Sequence, residues 1–144
     1  MRNVTISIKG TQTTAGADED AFELMTDGEY SRENGISTIS YLEGQLSGFE
    51  GLLTTFSVES DRVVLRRGDP SNADMIFSED QKHHFMYETP YGAITMGIDT
   101  RSIVNNMRDD GGHLEIRYNI EVDSVSISSN LFLIDIVSQQ YPPS

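Results

Sequence analysis

The chain has 144 residues, no cysteine, and 10 Lys+Arg against 23 Asp+Glu, for a formal charge of −13. That length fits one domain, and a 37% apolar fraction with six Phe and six Tyr can fill one core. The acidity repels phosphate backbones and anionic membrane surfaces, so it argues against nucleic-acid and membrane-surface roles; solubility, a basic partner or a cation remain as uses for it.

Almost every element reads as a strand. At the N-terminus, Val4, Ile6 and Ile8 alternate with Thr5, Ser7 and Lys9. The stretch 11–20, TQTTAGADED, reads as a polar connection. A second strand covers about Ala21 to Arg32, and Gly28 inside it suggests a bend or bulge. Asn34-Gly35 supplies the positive φ angles of a tight hairpin, and Ile36 to Glu43 returns. A loop with three glycines runs from Gly44 to Gly51, followed by a strand through Leu52, Thr54, Phe56 and Val58.

Arg62 to Arg67 is the next strand, and residues 68–74, GDPSNAD, carry breaker chemistry. Short strands follow at 75–79 and 83–89, and Thr89-Pro90-Tyr91-Gly92 is a turn. Ala93 to Asp99 and Ser102 to Met107 read as two separate strands, the second open to a short helix. Asp109 to Gly112 makes a tight connection into HLEIRYNIEV at 113–122, the cleanest alternation in the chain. The last strand, Ser124 to Val137, changes apolar phase between Ile127 and Phe132, which places a bulge near Ser128-Ser129-Asn130.

About eight to ten strands with short sequential connections suit an all-β, up-and-down antiparallel barrel, because closure removes the two exposed edges of an open meander. Residues 1–140 form the domain and 141–144, YPPS, a tail. The N-terminus has no apolar leader-like run, and LFLIDIV at 131–137 is too short to span a bilayer, so a cytoplasmic location is expected.

The ordered set YSRENGISTISYLEG, TTFSVESDRVVLRRG, MIF, YETPYG and GGHLEIRYNIEV resembles the YwiB-like family of low-GC Gram-positive bacteria. The resemblance runs from about residue 4 to 136 and rests on Gly28, Tyr41-x-Glu43, Thr54-Thr55, Arg66-x-Gly68, Thr89-Pro90-x-Gly92 and Tyr118. It implies a calycin-like, lipocalin-type barrel. It carries no substrate, cofactor or catalytic residue with it, and the acidity of this chain departs from a typical member.

Candidate sites are few. His83 and His84 are adjacent, so a regular strand sends them to opposite faces; with no cysteine and His113 elsewhere, no metal is expected. Glu79-Asp80 and Asp109-Asp110 sit in turns without calcium-loop spacing. There is no G-x-S-x-G elbow or phosphate-binding glycine loop, so no catalytic residue and no cofactor is assigned. The remaining constellation is Tyr41, Glu43, Arg66, Tyr87 and Tyr118, polar-tipped aromatics with a charge pair that could orient a small ligand or simply close a barrel end. Alternation sets Val63, Leu65 and Arg67 on one face and Val64 and Arg66 on the other, so either arginine can be the inward one.

Three roles follow, in this order: a binding barrel for a small apolar or amphipathic ligand, a protein-interaction module or homodimer with a filled barrel, and an enzyme of another type.

Overall fold

The computed structural model describes residues 2–14, 19–43, 51–68, 75–123 and 125–139, with 87–89 described by backbone alone. The YPPS tail, residues 44–50 of the glycine loop and residues 69–74 of the breaker segment lie outside the described residues. Ten strands follow one another: β1 (Arg2–Thr14), β2 (Glu19–Glu33), β3 (Ile36–Leu42), β4 (Leu53–Val58), β5 (Val63–Arg67), β6 (Met75–Phe77), β7 (Lys82–Thr89), β8 (Gly92–Arg108), β9 (Gly111–Val122) and β10 (Val125–Ser138). There is no helix among the described residues, and therefore none long and apolar enough to cross a membrane.

The ladder order is β6-β5-β4-β3-β2-β1-β10-β9-β8-β7, antiparallel throughout. Consecutive strands pair, except β6 with β7, and β1 pairs with β10, so the meander curls into a nearly closed up-and-down barrel. The seam lies between β6 and the β7–β8 hairpin. There the Asp80 N–H donates to the Thr100 carbonyl (3.0 Å), and the Ile103 N–H donates to Glu79 Oε1 (3.0 Å). Further along, Asn105 Nδ2 donates to the Glu59 carbonyl (3.4 Å), and the Tyr30 hydroxyl donates to the Arg108 carbonyl.

Period-two alternation sends one residue set inward. Val4, Ile6 and Ile8 of β1 meet Leu114 and Ile116 of β9, Ile134 and Ile136 of β10, and Ile39, Phe56, Val58, Val63 and Leu65 from the opposite wall. These side chains fill the middle of the barrel. Phe56 and Phe132 stack across it at 5.7 Å.

Several sequence expectations change. Thr11–Thr14 and Glu19–Asp20 are strand, not connection, because β1 and β2 stay paired beyond the apolar core. The segments 93–99 and 102–107 form a single strand, β8, bulged between Thr100 and Ser102. The bulge shifts the inward phase from Ile98 and Thr100 to Ile103 and Met107, which breaks the alternation read from sequence. A bulge in β10 lies between Ser126 and Ser128, slightly ahead of its expected place. Asn34 and Gly35 have φ of 53° and 78°, as the hairpin requires.

Gly28 carries no bulge and pairs regularly with Val4. A Cβ there would lie 2.5 Å from the Ser40 carbonyl oxygen, so glycine permits the close approach of β3. Beyond this point β2 and β3 part, since they pair only over Glu29–Glu33 and Ile36–Ser40.

Candidate functional site

The C-terminal ends of β1, β3, β5, β7 and β9 lie at one end of the barrel, here called the mouth. Two inward rows of polar side chains face each other across it. The first is set by the register of β3, β4 and β5, which pairs Tyr41 with Thr54 and Thr54 with Arg67. The second crosses five strands: Thr100 pairs with Tyr118, Tyr118 with Asn130, Asn130 with Gln12 and Gln12 with Asp20. One step deeper in the barrel, Phe22 pairs with Gly10 and Gly10 with Phe132. A Cβ at Gly10 would fall 2.1 Å from the Phe22 ring, so this glycine lets the ring lie against the wall.

Glu43 anchors the first row. Its side chain is 2% exposed and accepts from Thr54 Oγ1 at 2.6 Å, while Arg67 Nε lies 3.5 Å from the same oxygen. Tyr41 also hydrogen-bonds this carboxylate. A buried carboxylate is costly without partners, and here a cation and two hydroxyls supply them. Burial, then the Glu43 charge, pushes the Tyr41 hydroxyl far above the usual phenol range, against an opposing effect of Arg67. Burial likewise raises Tyr118, again opposed by Arg67. Both phenols are therefore neutral hydrogen-bond donors at ordinary pH. Arg67 is 34% exposed, so its guanidinium spans the buried carboxylate and the open mouth.

A recess of about 300 Å³ opens there, lined by Arg67, Tyr118, Asn130, Gln12, Phe22 and Phe132. The Tyr118 ring rests edge-on against Phe77, centroids 4.9 Å apart, which fixes its orientation. Asn130 Nδ2 donates to Ser128 Oγ (3.1 Å). The Thr100 hydroxyl is fully buried and has no hydrogen-bond partner among the described residues.

Of the sequence-named residues, Tyr41, Glu43 and Tyr118 come together around this mouth. Arg66 does not: it is exposed on the outer face, and the arginine beside Glu43 is Arg67. The register decides it, because Val58 pairs with buried Val63 and Phe56 with buried Leu65, so Arg67 continues the inner row. The Tyr87 side chain lies outside the described residues, and its backbone pairs with Ile94. Sequence reading passed over Thr54, Gln12, Asn130 and Phe22. The Tyr41-x-Glu43 spacing was a signal, but the partners come from strands whose register single-strand patterns do not give.

The histidines sit elsewhere. His83 lines a recess of about 470 Å³ at the seam, with Glu59, Arg62 and Glu79. His84 lies against Gly97 on the other face. His113 joins two strands on the outer surface, with Nδ1 2.6 Å from Asp135 Oδ1 and Nε2 3.3 Å from Glu115 Oε2. Burial lowers its pKa, but the hydrogen bonds and charges of Asp135 and Glu115 outweigh that and raise it. No group of three or more His, Asp or Glu among the described residues could hold a metal.

The fold has a solved counterpart. A crystal structure of the ywiB protein from Bacillus subtilis is similar, with a TM-score of 0.77 over 96% of this chain and 93% of that one. At 16% identity, this likeness concerns the fold alone. No curated protein matches the chain. Residues 6–134 match the family described as "Domain of unknown function (DUF1934)", which spans both walls of the mouth. The chain therefore belongs to the DUF1934 family, a calycin-like antiparallel β-barrel.

Proposed function

We propose that the protein binds one small amphipathic molecule at the barrel mouth, without chemistry of its own. The observation that carries the reading is the recess where the Phe22 and Phe132 rings meet Arg67, Tyr118, Asn130 and Gln12. Such a surface suits an apolar body lying on the rings and a hydrogen-bond-accepting end at Arg67 and Tyr118. The filled middle of the barrel argues for a ligand held in the mouth rather than along the axis. Burial keeps Tyr41 and Tyr118 protonated, which suits donors that orient a ligand better than it suits nucleophiles.

Native mass spectrometry of protein purified without detergent tests this, before and after incubation with 8-anilinonaphthalene-1-sulfonate. The reading expects a one-to-one small-molecule adduct in at least one sample, lost on denaturation and weakened by Phe22→Ser. Bare protein in both samples contradicts it.

A further inference from the structure

Among the described residues, the N-terminal part of β2 has a partner strand on one side alone. Residues 19–28 pair with β1 on one side, while β3 pairs with β2 only from Glu29 onward. Among the described residues, the edge facing β3 therefore has no partner strand over about ten positions. Among the described residues, the side-chain contact to its main chain is a long one, from Thr26 Oγ1 to the Asp27 carbonyl (3.4 Å).

The seam edge of β8 is treated differently. There Glu79 caps the Ile103 N–H, Asn105 Oδ1 accepts from the Met107 N–H (3.1 Å), and Tyr30 bonds the Arg108 carbonyl. One bare edge is blunted by side chains and the other is left open.

The open edge also has apolar flanks. A groove of about 630 Å³ runs between β2 and β3, with Thr26, Gly28, Tyr41, Leu42 and Leu53 among its lining residues. Leu42 and Leu53 pair across β3 and β4 on the outer face at 64% and 48% exposure, and Met25 stands 72% exposed on the outer face of β2. Unpaired main chain beside apolar side chains is the surface to which an extended segment adds as a strand.

Charge selects the occupant. Residues 19–28 carry Glu19, Asp20, Glu23 and Asp27 and no lysine or arginine, Glu29 follows directly, and Lys9 of β1 lies 4.0 Å from Glu23, in a chain of formal charge −13. A second copy added through the same edge would set carboxylates against carboxylates. We propose that residues 19–28 of β2 receive an extended, lysine- or arginine-rich segment of another protein, which pairs as an added strand and lays alternate apolar side chains on Leu42 and Leu53.

The test uses the full chain and a fluorescein-labelled decapeptide of alternating lysine and valine. The proposal expects saturable binding that weakens with salt, together with slowed amide hydrogen exchange confined to residues 19–28 and 36–42. It also expects at least a tenfold loss of affinity in a Glu23→Lys/Glu29→Lys variant. A peptide methylated on alternate backbone nitrogens keeps its charge but cannot pair, and should lose binding to a similar degree. Equal binding by the methylated peptide overturns strand addition in favour of charge attraction alone. No binding by the unmodified peptide overturns the proposal outright. Concentration-dependent dimerisation that protects residues 19–28 without peptide assigns the edge to a second copy and overturns the basic partner.

Discussion

Replacing Arg67 by Met leaves Glu43 buried without its cation and probes the mouth from inside. The Glu43 side chain is 2% exposed, so it cannot turn to water when Arg67 is lost. Removing one member of a fully buried pair costs about 3–5 kcal/mol. Arg67 is 34% exposed and its Nε lies 3.5 Å from Glu43 Oε1, so solvent screens part of that interaction. A loss of roughly 2 kcal/mol follows, or about 6 °C in melting temperature for a chain of this size. Urea unfolding at unchanged m-value is the assay. Neutralising the carboxylate first, with Glu43→Gln, should reduce the cost of Arg67→Met to under about 1 kcal/mol, because the stranded charge is gone. Arg66→Met, on the outer face, should change stability by no more than about 0.5 kcal/mol. Equal effects of the two arginine variants, or no coupling between positions 43 and 67, would refute the assignment of Arg67 as the inward arginine.

Other consequences follow from the same structure. Gly112 has φ of 148°, and a Cβ there would lie 2.3 Å from the Asn106 carbonyl oxygen. Gly112→Ala should therefore cost at least about 3 kcal/mol by chemical denaturation, and a neutral result would sink the close-approach argument. Tyr30 is buried and its hydroxyl bonds Ser37 Oγ (3.0 Å) and the Arg108 carbonyl, so Tyr30→Phe should lose about 1–2 kcal/mol. The raised pKa of His113 means that the folded state holds its proton more tightly than the unfolded chain does. Its contribution is fully present below the ordinary histidine pKa of about 6.5 and fades as pH rises through the folded value. The melting-temperature gap between the wild type and His113→Gln should shrink from pH 5.5 to 8.5; a constant gap would mean that the Asp135 and Glu115 contacts do not depend on protonation.

Much of the barrel was legible because its strands alternate strictly. β9 shows this best: Leu114 and Ile116 are buried and Arg117 is exposed, as the two-residue period requires. Legibility failed where phase changes within a strand, as at the Thr100–Ser102 bulge that made β8 look like two pieces. It failed also where strands outrun the core, as at Thr11–Thr14, whose polar side chains carry no burial signal although the backbone stays paired. The site was half-legible for a related reason. Tyr41 and Glu43 lie on one face of one strand, but Arg67 and Thr54 join them only through cross-strand register, and register depends on pairings between strands that no single strand's pattern records. The choice between Arg66 and Arg67 was of this kind, since both faces of β5 offer an apolar residue and an arginine.

The most direct test of the ligand-binding mouth is a ¹H–¹⁵N spectrum of the protein titrated with 8-anilinonaphthalene-1-sulfonate. Binding at the mouth predicts saturable, one-to-one shifts centred on Gly10, Phe22, Arg67, Tyr118, Asn130 and Phe132, all of which line the recess. Shifts centred elsewhere, or none at millimolar probe, would contradict it.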